Sequence, residues 1–344
     1  MSLEGAFREQ AMHNRALGSP FTARVLRLAA ERAVPGNPVV DRMLAWEGDI
    51  GPFGASLPLR FLSGLHALVL TGACPALVAA YPPNPASDDK TLGAAIDAAL
   101  AEHQDVLMRW IDNPPQTNEV RRASVMIAAG QWLADRFGLP FVLSELGASA
   151  GLNLMWDRFC LALACGTFGP KRSSVWLDPD WRGPCPPKAE VTVIDRRGVD
   201  LRPMNPHDAE DALRLVSFLW ADQPQRIDRT RAAIEMAEAP VDKGDAAGWL
   251  EARLAESHPG ALHLVTHTVA WQYFPDATRS RCHAAFTAAG ARATPNAPLA
   301  RLSMEADDSG QPGAAITLTI WPGGETISLG RVDFHARWVD WTPP

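Results

Sequence analysis

The sequence predicts an α/β protein: an all-α N-terminal domain, then a mostly parallel sheet that ends in an antiparallel C-terminal hairpin. Three observations predict it. Up to about residue 138, apolar residues recur at helical spacing between Pro/Gly turns, with no alternating strand. After Pro140, short apolar runs alternate with helical stretches, as in a parallel sheet covered on both faces. Trp321-Pro-Gly-Gly-Glu325 then joins two late runs as a hairpin turn. The division falls into a helical cap domain over 1–138 and a sheet domain over 139–344.

Taken in order, Phe21–Ala33, Leu92–Ile111 and Glu119–Phe137 carry apolar residues at helical spacing. The last of these ends at Gly138, as a C-cap would. Phe61–Tyr81 is uncharged and long enough to span a bilayer, but Gly72 and Pro75 interrupt it, so it reads as two helices about a turn. Phe141–Leu146 is a strand, followed by Gly147-Ala-Ser-Ala-Gly151 and a helical stretch over Leu152–Leu163. Val191–Ile194, Leu262–Thr266, Leu299–Met304, Ile316–Ile320 and Thr326–Leu329 are further strands. Between them lie helices over Asp208–Leu219, Pro224–Ala237 and Ala277–Ala289, and Trp176–Pro187 reads as an added loop.

Composition bounds the function. With 47% hydrophobic and 21% charged residues the chain has ample core material and is not disordered. A net charge of −7 gives no general grip on nucleic acid or anionic membrane. Five cysteines, odd in number and without a C-x-x-C pair, read as reduced thiols rather than a disulfide framework or zinc site. The first ten residues lack the basic-then-apolar pattern of a signal peptide, so the expected location is cytoplasmic.

The sharpest motif is Glu145-Leu-Gly147-Ala148-Ser149-Ala-Gly151-Leu-Asn153. A turn from a parallel strand into a helix gathers backbone N–H groups, and glycines there permit close approach of a ligand. The spacing Glu-x-Gly-x-Ser-x-Gly resembles the first motif of class I S-adenosylmethionine-dependent methyltransferases. That resemblance implies a Rossmann-like methyltransferase sheet, with the turn cradling the methionine part of the cofactor. Gly198-Val-Asp200-Leu-Arg-Pro203 resembles the end of that family's second strand, where an acid holds the ribose hydroxyls, and Gly244-Asp245-Ala246 the end of its third, where an acid meets the adenine amino group. The resemblance therefore assigns Glu145, Gly147, Ala148, Ser149, Gly151, Asn153, Asp200, Asp245 and Ala246 to S-adenosylmethionine. Gly151 and Asp200 stand more than twice the ~20 residues apart usual in related folds, which makes Asp195 the rival to Asp200.

The five residues from Gly147 to Gly151 also satisfy the G-x-S-x-G elbow of α/β-hydrolases, with Ser149 as nucleophile and Asp307 or Asp308 and His335 as partners. Against it, the 140 residues upstream read as helical and carry no oxyanion segment. More widely, Gln116–Arg122, Glu145–Asp157, Arg197–Pro203, Leu264–Pro275 and Trp321–Gly324 resemble an uncharacterised bacterial family with a methyltransferase-like domain.

His263 and His267 lie ~13 Å apart along one strand face, too far to share a metal. His267 ends the strand where a methyltransferase receives its acceptor and is the candidate base, with Tyr273 beside it; the competing reading is a histidine that supports the loop. Trp271, Asn118, Glu119 and Arg122 are candidates for holding the acceptor, and Trp46, Trp110 and Trp132 for walling its pocket. The expectation is a methyltransferase acting on a small molecule, with a serine hydrolase or a non-catalytic cofactor-binding protein as alternatives.

Overall fold

The computed structural model describes residues 1–52 and 54–344. They form two compact units, one of residues 1–117 with 207–231, the other of residues 118–206 with 232–344.

The first unit is helical among the described residues. Its helices are α1 (Leu3–Ala16), α2 (Pro20–Ala30), α3 (Pro38–Leu44), α4 (Leu57–Leu70), α5 (Pro75–Ala80), α6 (Asp89–Glu102) and α7 (Gln104–Asp112). Ser2 and Asp88 cap α1 and α6 by accepting backbone N–H bonds, and Pro opens α2, α3 and α5. The uncharged segment is two helices, α4 and α5, and no described helix is long and apolar enough to cross a membrane. Leu92–Ile111 is not one helix: His103, at φ −127° and ψ 34°, separates α6 from α7. Residues 207–231 join this unit through α9 (Ala209–Ser217): Trp110 Nε1 donates to Ser217 Oγ at 3.0 Å, and His66 Nδ1 bonds Ser217 O at 3.1 Å. Asp222 accepts from Ser19 Oγ and from Phe21 N.

The second unit opens with a 3-10 turn, Val120–Arg122, and α8 (Ala123–Phe137), ending at Gly138 as expected. Its nine-stranded sheet is ordered β5-β12-β11-β10-β9-β8-β1-β6-β7. The strands are β1 (Phe141–Leu146), β5 (Asp180–Arg182), β6 (Val193–Asp200), β7 (Val241–Lys243), β8 (Leu262–Thr268), β9 (Leu299–Glu305), β10 (Ala314–Trp321), β11 (Glu325–Val332) and β12 (Trp338–Trp341). β7, β6, β1, β8 and β9 are mutually parallel, β9 to β12 are an antiparallel meander, and β5 lies parallel to β12 at the edge. A second sheet pairs β2 (Cys160–Leu163) with β3 (Gly166–Phe168) and β4 (Trp176–Leu177). The helices α10 (Pro224–Met236), α11 (Ala246–Ala255) and α12 (Asp276–Gly290) complete the chain.

Every residue of β1 and β8 is buried, as strands covered on both faces must be. Leu146 and Val265 share a core with Leu250 of α11 and Phe286 of α12. Phe141, on the opposite face of β1, meets the Trp156 ring edge-on.

Several expectations are corrected. The stretch after the Gly-rich turn is not a long helix: a 3-10 helix over Leu152–Arg158 gives way to β2 at Cys160, because β4 and β3 offer that backbone pairing partners. Trp176–Pro187 is not merely a loop, since it supplies β4 and β5. The cysteines are not all reduced: Cys165 and Cys185 form a disulfide across a Cα–Cα distance of 6.7 Å. Only the folding of this insertion brings those two together, whereas Cys74, Cys160 and Cys282 are buried thiols. α8 packs within the second unit, where the Trp156 ring sits against its Gly130 and Asn118 accepts from Leu152 N–H.

Candidate functional site at the carboxyl edge of the parallel strands

In sequence rank, the five parallel strands lie third, second, first, fourth, fifth. The order reverses between β1 and β8, and in open α/β sheets ligands bind outside the carboxyl ends at such a point. Two loops flank it, the turn after β1 and the segment leaving β8.

The turn after β1 is tightly bent. Gly147, Ser149 and Gly151 all have positive φ (70°, 54° and 71°), the serine against its steric preference. A Cβ on Gly147 would stand 2.6 Å from Ala270 Cβ, so glycine there lets the two loops touch. Ala148 is buried, and its N–H, like that of Gly147, donates to Val199 O. Asp200 ends β6 and holds the turn from beneath: one oxygen accepts from Ser149 N at 2.9 Å, the other from Arg202 N at 2.9 Å. Asp195, the rival, lies nearer the start of β6 and pairs with Arg253 of α11. Segment 118–122 straps the exit of the turn: Asn118 Oδ1 accepts from Leu152 N at 2.9 Å, and Asn153 Nδ2 donates to Glu119 O at 3.2 Å. Arg122 donates to Thr268 O at the end of β8 and to Phe334 O.

Three polar atoms of this turn are buried without a hydrogen-bond partner: Glu145 Oε2, Ser149 Oγ and Asn153 Oδ1. Such groups are uncommon in native folds, and three of the twelve among the described residues cluster in this turn. Burial pushes the Glu145 carboxyl up to about 8, with Asp200 adding to the rise and Arg122 opposing it. At neutral pH Glu145 is therefore mostly a neutral acid.

The segment leaving β8 is held by its own contacts, although Glu305 Oε2 is buried without a partner. His267 is fully buried; its Nδ1 bonds Glu305 Oε1 at 2.8 Å, and its Nε2 accepts from Arg301 Nε at 3.0 Å. Both ring nitrogens are thus spent, and burial holds the imidazole below its ordinary pKa despite Glu305. Glu305 Oε1 also accepts from Ala270 N and Trp271 N, each at 3.1 Å, tethering the loop. Trp271 stacks on His267 at 4.9 Å, and the Arg301 guanidinium lies 4.2 Å over the Trp271 ring. Val269 has φ 52°, strained for a β-branched residue, so this exit and the turn after β1 each carry one strained residue. Tyr273 is 72% exposed.

The structure thus gathers Glu145, Gly147, Ala148, Ser149, Gly151, Asn153, Asp200, Asn118, Glu119 and Arg122 around one turn. Asp245 stands apart as the N-cap of α11: it accepts from Ala247 N and Gly248 N, and its other oxygen from Thr278 Oγ1. Ala246, the first residue of that helix, is buried. Of the tryptophans, Trp110 is a buried core residue, while Trp46 carries the Arg42 and Arg60 guanidinium groups at 4.8 and 5.0 Å. Glu305 and Arg301 escaped the sequence reading. Glu305 ends β9 as Asp200 ends β6, so an acid at a strand end was the available signal.

The family described as "Uncharacterized protein conserved in bacteria (DUF2332)" matches residues 4–341. The chain belongs to this family. The match spans both compact units, so helical unit and sheet are parts of one family architecture. Comparison with curated proteins and with solved structures found no match.

Proposed function

We propose that this member of the family binds S-adenosylmethionine at the turn after β1 and transfers its methyl group to a small molecule. The observation that carries the reading is the coincidence of the strand-order reversal with a turn that buries three unpartnered polar atoms, on Glu145, Ser149 and Asn153. The donor set suits the cofactor's amino-acid end: a carboxyl to accept from an ammonium, and a hydroxyl able to donate or accept. Asp200, although bonded to the turn, retains lone pairs for ribose hydroxyls. Bound S-adenosylmethionine supplies an electrophilic methyl group on a sulfonium.

The chain's own residues bind and orient. Glu145 gives up its proton when a cationic ligand enters, because positive charge nearby restores the carboxylate. His267 holds the β8 exit and does not move a proton. Tyr273 and Trp271 of the segment leaving β8 would position the acceptor, and positioning supplies much of the rate for an in-line displacement.

Calorimetry with S-adenosylmethionine and S-adenosylhomocysteine tests the reading. Binding is expected to release a proton at neutral pH and to tighten as pH rises toward 8. Absence of heat with both ligands, at either pH, overturns it. A serine hydrolase is the second reading, favoured by the strained φ of Ser149. Against it, Ser149 Oγ meets no histidine, and Asp307 is clamped by Arg331 at 2.8 and 3.0 Å.

A further inference from the structure

In the sheet-bearing unit Arg196, Arg253, Arg331 and Arg337, all half-buried, each grip a carboxylate: Asp157, Asp195, Asp307 and Asp333. On α12, Arg279 pairs with Asp276 and Arg281 with Glu251. Arg301 of β9 is half-buried too, yet among the described residues it forms no ion pair with a carboxylate.

Other contacts fix its position. The guanidinium lies over the Trp271 ring at 4.2 Å and the Phe286 ring at 4.9 Å. Nε donates to His267 Nε2 at 3.0 Å, and Nη1 meets His283 Nδ1 at 3.4 Å. The Glu305 carboxylate stands on the far side of the His267 ring, at its Nδ1. Nη2 has no partner among the described residues, and unlike the orphaned atoms of the β1 turn it is not sealed from solvent. Burial pulls the guanidinium down to about 10, against the Cys282 thiol and Glu305. At neutral pH it is therefore a cation that has lost part of its hydration, offset in part by two aromatic rings.

His283 completes the setting. It is exposed on α12, and its ring stands steeply tilted to Trp271 with centroids 5.0 Å apart. Arg301 of β9, His267 of β8 and Arg279 of its own helix act on it. Partial desolvation of the ring, then Arg301 and Arg279, hold it below its ordinary pKa, so at neutral pH its Nδ1 offers Arg301 a lone pair.

We propose that Arg301 and His283 form an oxyanion site between β9 and α12, which takes the carboxylate or phosphoryl group of a small molecule on the Nη1–Nη2 end of the guanidinium. Two N–H groups side by side there match a pair of ligand oxygens. Trp271 and Phe286 hold the fork in one orientation, so little side-chain freedom is lost on binding. Arriving negative charge strengthens the imidazole's hold on a proton, and His283, protonated from solvent, turns from an acceptor into a second donor.

The test uses the full chain, labelled with nitrogen-15 and free of S-adenosylmethionine, with sulfate and acetate as probes. Its outcome is thus independent of the reading of the β1 turn. The Arg301 Nε–H resonance, identified by its loss in Arg301→Lys, is expected to shift saturably in NMR titrations. The probe that calorimetry finds tighter names the source, sulfate for a phosphoryl group and acetate for a carboxylate. Arg301→Lys keeps the charge, loses the fork and is expected to weaken binding ~10-fold. His283→Glu, at an exposed position, sets a tethered carboxylate beside the fork and is expected to abolish binding in a folded protein. Sulfate affinity should fall ~10-fold from about pH 5 to pH 8 and stay level in His283→Gln. No saturable shift, equal affinity in Arg301→Lys, binding that survives in folded His283→Glu, or a sulfate affinity independent of pH in the natural protein overturns the proposal.

Discussion

The two loops that flank the strand-order reversal divide their labour. The segment leaving β8 spends every ring nitrogen of His267 and three bonds of one Glu305 oxygen on holding itself in place. The turn after β1 leaves a carboxyl oxygen, a hydroxyl and an amide oxygen buried with nothing to bond, whereas on the β8 side Glu305 Oε2 is left so. His267 has both ring nitrogens bonded, and most of the unpartnered polar atoms of the two loops sit in the turn opposite. Four measurements can break or sharpen that contrast.

The largest effect concerns Glu145. Its folded pKa, about 8, lies above its ordinary 4.5, so the native state keeps a proton that the unfolded chain releases between those values. This contribution is complete below about pH 4.5 and is lost as pH rises to 8, by on the order of 4 kcal/mol. Over the same range the buried His66, His263 and His267, held below their ordinary pKa, contribute with the opposite sign. The quantity to read from urea unfolding is therefore the difference between the natural protein and Glu145→Gln, which should fall as pH rises. A difference independent of pH would place Glu145 in contact with solvent and remove the contrast.

His267→Ala comes next. It strips Glu305 and Arg301 of a shared buried partner and is expected to cost about 3 kcal/mol in unfolding free energy. A cost within error of zero would mean the β8 exit is not held by this chain of bonds. S-adenosylmethionine binding in the surviving folded protein should persist, since the imidazole contacts no ligand in the proposed reading.

Asp200→Ala removes the acceptor beneath Ser149 N–H together with the proposed ribose contact, and should weaken S-adenosylmethionine by about 2 kcal/mol, measured by calorimetry. Unchanged affinity would leave Asp200 as a turn support only. The smallest effect is expected from Val269→Gly. Relief of the left-handed strain at φ 52° should raise stability by about 1 kcal/mol, read as a higher melting temperature. A lower one would show that the valine side chain contributes more by packing than its backbone costs.

Much of the fold was legible because it rests on local pattern. β1 runs over the residues its apolar run marks, and the helix ending at Gly138 stops where the cap requires. What escaped depends on distant partners. β7 and β12 are short and are strands only because β6 and β11 pair with them. The residues 152–163 carry helical spacing, yet β3 and β4 claim their second half for a small sheet. The candidate site was half legible: the turn and its glycines follow from one motif and Asp200 from a second. The engagement of His267 by Arg301 and Glu305 joins residues from two strands and has no signature along the chain.

By itself the sequence determined the alternation of elements, the hairpin at Trp321–Glu325 and the chemical character of the turn after β1. These depend on side-chain spacing and turn residues, which act over a few positions. Tertiary structure decided the strand order, the disulfide partners and which acid is buried. It gave Asp200 backbone donors and Glu145 none, and so tied one carboxyl into the turn and left the other buried without a partner on one oxygen. The physical reason is that a carboxyl's pKa and its unused lone pairs are set by what surrounds it in space.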